Sequence, residues 1–69
     1  MTFELKAEYE FRAVLAWHVV PQGDSTSLCG TPLAPRAETR DVAALHRLSN
    51  RCRPCEILYT PRLGMWRAG

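Results

Sequence analysis

At 69 residues the chain is about half the usual domain length, so it is one domain with a small core, for which an additional staple is expected. An apolar fraction of 46% with 23% charged residues is that of a globular protein and excludes disorder throughout. The net charge of +2 is unevenly spread: residues 1–35 carry Lys6 and Arg12 against Glu4, Glu8, Glu10 and Asp24, whereas residues 36–69 carry seven arginines against Glu38, Asp41 and Glu56.

From Phe3 to Val19 the odd positions are apolar (Phe3, Leu5, Ala7, Tyr9, Phe11, Ala13, Leu15, Trp17, Val19), and the even ones open with Glu4, Lys6, Glu8, Glu10 and Arg12. A period of two predicts β structure with one face buried, and Val14 and Ala16 imply that the other face becomes buried toward His18. Phe3, Ala7, Phe11, Val14 and Leu15 also share a helical stripe, so a helix competes; strand is the better fit. So long a strand calls for a break, expected near Tyr9 to Arg12. The N-terminal residues lack the basic-then-apolar order of a signal peptide, and no run approaches the roughly 18 apolar residues of a membrane span, which predicts a cytoplasmic protein with no membrane partner.

Pro21-Gln22-Gly23-Asp24-Ser25 is dense in turn formers, and Thr26-Ser27-Leu28-Cys29-Gly30 reads as a short return strand, which would bring Cys29 back beside His18 in a β-hairpin. Pro32 to Arg40 reads as a loop that could be mobile. Asp41 is positioned to cap a short helix carrying Val42, Leu45 and Leu48, ended by Ser49-Asn50-Arg51. Pro54, inside the pair Cys52-Arg53-Pro54-Cys55, suits the first turn of a second short helix.

Three cysteines are an odd number for a disulfide framework, and the cytoplasm keeps thiols reduced, so metal ligation is the use that fits them. Two thiolates three residues apart can reach one tetrahedral ion, and Gly30 after Cys29 permits the positive φ of a tight turn around a metal. The fourth ligand is His18 or His46; the proposed hairpin favours His18, because His46 lies on the short helix between leucines. A redox use of the cysteine pair lacks the long helix that would follow it, and a cysteine nucleophile lacks a visible orienting constellation. The expected function is therefore non-enzymatic.

The order Trp17-His18, Leu28-Cys29-Gly30, then Cys52-Arg53-x-Cys55 and Ile57-Leu58, resembles small zinc-finger-like proteins of actinobacteria and their phages. The resemblance covers residues 16–60 and implies a structural zinc site of one histidine and three cysteines, mapping onto His18, Cys29, Cys52 and Cys55. It leaves residues 1–15 as an amphipathic N-terminal strand and 61–69 as a tail. The expected fold is a small α+β domain, zinc-ribbon-like or treble-clef-like, with an N-terminal β-hairpin and one or two short helices. Arg47, Arg51, Arg53, Arg62 and Arg67, with Tyr59 and Trp66, form a basic and aromatic set that raises regulatory nucleic-acid binding. Phe3, Tyr9 and Phe11 raise a protein partner, or a homodimer through the N-terminal strand.

Overall fold

The computed structural model describes residues 2–60. Its strands are β1 (Phe3–Glu10), β2 (Ala13–Pro21) and β3 (Thr39–Asp41); a 3₁₀ helix (Val42–Arg47) and the helix α1 (Arg53–Tyr59) follow. β1 is the central strand of an antiparallel sheet ordered β2-β1-β3. The domain is α+β, with the hairpin at its N-terminus.

The period-two segment breaks where expected. Glu10 pairs with Ala13 across a two-residue loop in which Phe11 (φ 52°) and Arg12 (φ 70°) both take positive φ, the type I′ pattern that matches the twist of paired strands. The hairpin is therefore β1 with β2, and not the one expected across Pro21–Ser25. Thr26–Gly30 does return along β2, but Ser27–Gly30 forms a turn instead of a strand.

The pairing also corrects the alternation. Glu8 pairs with Ala16 but Tyr9 pairs with Val14, so Leu15 is left without a partner in β1, a β-bulge. Beyond the bulge Val14 takes the place on the core side that odd numbering assigned to Leu15, and Leu15 is 48% exposed. The core cluster is Leu5, Ala7, Trp17 and Val19 from the hairpin, Leu45 from the 3₁₀ helix, and Cys55 and Tyr59 from α1. Phe3 meets the Tyr59 ring edge-on at 5.4 Å.

The segment expected to be a mobile loop supplies β3 and part of the packing instead. Thr39, Arg40 and Asp41 pair with Lys6, Leu5 and Glu4, and the Ala7 N–H donates to the Glu38 carbonyl at 2.9 Å. Leu33 and Ala37 are buried, and Lys6, on the opposite face from Leu5 and Ala7, donates from Nζ to the Pro35 carbonyl at 3.0 Å. Asp41 caps the 3₁₀ helix as its side chain accepts the Ala43 N–H at 2.9 Å. Arg40 lays its guanidinium over Trp17, 4.9 Å from the ring centre.

Candidate metal centre

The outer edge of β2 positions the site. The Trp17 N–H donates to the Asn50 carbonyl at 3.0 Å, and the Trp17 carbonyl accepts the Cys52 N–H at 2.8 Å. The next carbonyl with a partner on that edge, Val19, accepts the Leu28 N–H at 2.9 Å. Two distant stretches of chain thus dock on either side of His18, one carrying Cys29 and the other Cys52. Cys52 is the residue before α1, and Pro54 in its first turn starts the helix where the donor missing from proline costs nothing, which delivers Cys55 to the same place.

His18 Nδ1 lies 3.6 Å from Cys29 Sγ and 3.6 Å from Cys55 Sγ, and Cys52 Sγ lies 3.8 Å from Cys29 Sγ. All four ligand atoms fall within 4.8 Å of one another. His18 and Cys55 are buried, and Cys29 and Cys52 are partly so. The three cysteines are free thiols, and the cluster is able to hold a metal ion.

Cys29 sits in a turn closed by the Gly30 N–H to the Ser27 carbonyl and the Ser27 N–H to the Thr31 carbonyl, both 2.9 Å. Gly30 takes φ 95°, the conformation its position after Cys29 predicts. The hydroxyls of Ser27 and Thr31 lie 3.1 Å and 3.3 Å from Cys29 Sγ. Burial pushes the Cys29 thiol up, but the hydrogen bonds from Ser27 and Thr31, including the Thr31 backbone, outweigh it and bring the group down to about 6. Cys52 is pushed up to about 12 by burial and by the negative charge of Cys55. Without a cation the site therefore favours a thiolate at Cys29 and resists one at Cys52; a dication beside them supplies the charge that a Cys52 thiolate needs.

Reasoning from sequence missed three residues around this cluster. Ser27 and Thr31 stand two residues either side of Cys29, a pattern of hydroxyls that was legible. Glu8, whose Oε1 lies 2.6 Å from His18 Nε2, was not legible without the position of the hairpin turn.

His46 is outside the cluster. Its ring is exposed and its Nδ1 lies 3.0 Å from Glu56 Oε2. Glu56 is also ion-paired with Arg51, whose Nε lies 2.9 Å from Oε2, and with Arg53, whose Nε lies 3.4 Å from Oε1. The Arg51 guanidinium holds its carboxyl below the usual carboxylate range. Arg47 is exposed, while Arg62, Arg67 and Trp66 lie outside the described residues. Comparison with family models, curated proteins and solved structures found no significant match, so the function rests on these residues.

Proposed function

We propose that His18, Cys29, Cys52 and Cys55 hold a zinc ion in a closed structural site, and that the domain is a non-enzymatic, cytoplasmic binding module whose fold depends on that ion. The size of the cluster carries the proposal. With Zn–S near 2.3 Å and Zn–N near 2.0–2.1 Å, a regular tetrahedron has sulfur–sulfur edges of about 3.8 Å and sulfur–nitrogen edges of about 3.5–3.6 Å. Three of the six edges, at 3.8 Å and twice 3.6 Å, match those values, and the other three lie within 4.8 Å. Soft thiolates with one imidazole in tetrahedral array select zinc over the hard cations, and four protein ligands close the site to substrate. Free thiols in such a site call for a reducing compartment. Among the described residues, no helix is long and apolar enough to cross a membrane.

The test is metal content. The purified protein should carry one equivalent of zinc, and cobalt in its place should give the visible spectrum of a tetrahedral site with three thiolates. A chain that folds cooperatively with no metal would overturn the proposal.

A second reading concerns what the scaffold binds. Arg47 at the end of the 3₁₀ helix and Arg53 at the start of α1 are exposed and support nucleic-acid binding, although Arg53 and Arg51 share Glu56 with His46. Phe11, 93% exposed at the hairpin tip, supports a protein partner. Binding to oligonucleotides that weakens steeply with salt would select the first and no binding at low salt would sink it, whereas a stable dimer by light scattering would select the second.

A further inference from the structure

None of the four clustered residues lies on β1, the central strand. Glu8 links that strand to the cluster. Lys6 pairs with His18 and Glu8 with Ala16, so Glu8 and His18 are diagonal neighbours on one face, immediately before the register shift. The Glu8 side chain is 35% exposed at the rim, while that of His18 is 5% exposed.

A carboxylate beside a surface histidine contributes little. Here the histidine is buried and its two nitrogens face different chemistry. Nδ1 looks at the sulfurs of Cys29 and Cys55, each 3.6 Å away, and Nε2 at Glu8 Oε1, 2.6 Å away. A nitrogen that ligates a metal must present a lone pair, so the ring proton belongs on Nε2, where Glu8 accepts it. The hydrogen bond then fixes the tautomer, holds the ring plane and raises the basicity of Nδ1.

Resting on the zinc reading above, we infer that Glu8 is the positioning residue of the metal centre: an outer carboxylate that orients His18 through Nε2–H and sets the affinity of the site for zinc. It ligates nothing itself. Three thiolates and a neutral imidazole leave a bound dication with a net charge of −1, and Glu8 adds a further negative charge on the histidine side. The gain therefore comes through the hydrogen bond, and the size of its acceptor matters as well as its charge.

The test is zinc affinity of the full chain, measured by competition with a chromophoric chelator, for the unmodified protein, Glu8→Ala, Glu8→Gln and the control Glu10→Gln. Glu8→Ala should weaken zinc binding about 10–100-fold, the loss usual for an outer-shell partner. Glu8→Gln keeps an oxygen that accepts from Nε2–H and should recover part of that loss. Glu10→Gln should bind as the unmodified protein does. Nitrogen NMR of the imidazole supplies a readout that a loss of packing would not move: Nδ1 carries the metal and Nε2 a proton protected from exchange, and in Glu8→Ala that protection is lost. Should Glu8→Ala fail to fold, Glu8→Gln and the Nε2 proton of the unmodified protein decide. Equal affinity in all four chains, or an Nε2 proton that exchanges freely in the unmodified protein, would overturn the role of Glu8 and leave the zinc reading standing. An unmodified protein that takes up no zinc would overturn both.

Discussion

The two ends of one hairpin differ more than its sequence does. Near the strand termini Leu5, Ala7, Trp17 and Val19 are buried against the 3₁₀ helix and α1, Lys6 and Val20 are buried on the opposite face, and His18 joins the cysteines. Toward the turn the alternation in sequence continues, yet Tyr9 is 44% exposed and Phe11 93%, and the bulge turns Leu15 outward to 48%. Tyr9 has one tether there, its hydroxyl accepting the Glu38 N–H at 3.2 Å. What separates the two ends is the chain that crosses them. Cys29 and Cys52 arrive at the edge of β2 beside residues 17–19, and β3 reaches only residues 4–6 of β1. Alternation specifies a strand and its two faces; burial depends on what later segments lay over them.

The largest effect expected is therefore at the metal end. Cys55 is fully buried and belongs both to the core and to the His/Cys cluster. Structural zinc in small domains contributes apparent free energies of about 10–16 kcal/mol, as much as a whole domain's stability of about 5–15 kcal/mol. Cys55→Ser should lose zinc and the cooperative thermal transition together, as read by metal analysis and near-UV circular dichroism. A variant that melted at the unmodified temperature would show that burial alone holds the inner end. Next in size, Leu5→Ala should cost about 2–5 kcal/mol in denaturant unfolding, the range for a large core side chain. Phe11→Ala should stay within about 0.5 kcal/mol, as exposed substitutions do. Similar costs for the two would erase the distinction between the ends.

Much of this arrangement was legible in the sequence, and the misses share a cause. The period of two, the break near residues 9–12, the Asp41 cap, the helix start at Pro54 and the turn at Gly30 are local features, each governed by a few adjacent residues. Which strand pairs with which is not local. Gly23 in a run of turn formers drew the hairpin to residues 21–25, because Phe11-Arg12 carries none of the turn signals that a type I′ loop normally shows. Placing the turn there concealed the bulge at Leu15 and the meeting of Glu8 with His18. β3 went unseen for a related reason: Thr39–Asp41 is three exposed residues with no alternation to read. His18 and Cys29 were brought together by the wrong hairpin, but the return of the chain along β2 is real, so the cluster survived the error in topology.

The smallest effect expected runs in the opposite direction and tests the turn itself. A non-glycine residue in the left-handed region costs roughly 1–2 kcal/mol, and both Phe11 and Arg12 are there. Replacing them together, Phe11→Asn with Arg12→Gly, keeps the loop length and installs the pair that the type I′ geometry favours. Glycine returns about 0.5–1 kcal/mol as lost entropy, which leaves a net gain of about 1 kcal/mol, or about 4–8 °C in the melting temperature of a domain this size. The double variant should keep its zinc, since the exchange lies beyond the register shift and far along the strands from His18. An unchanged or lower melting temperature would mean that the Phe11 ring or the Arg12 guanidinium contributes contacts that offset the strain. A gain would mean that the hairpin tip holds an exposed aromatic in a costly conformation with no return in stability, which is how segments retained for contact with something outside the fold behave.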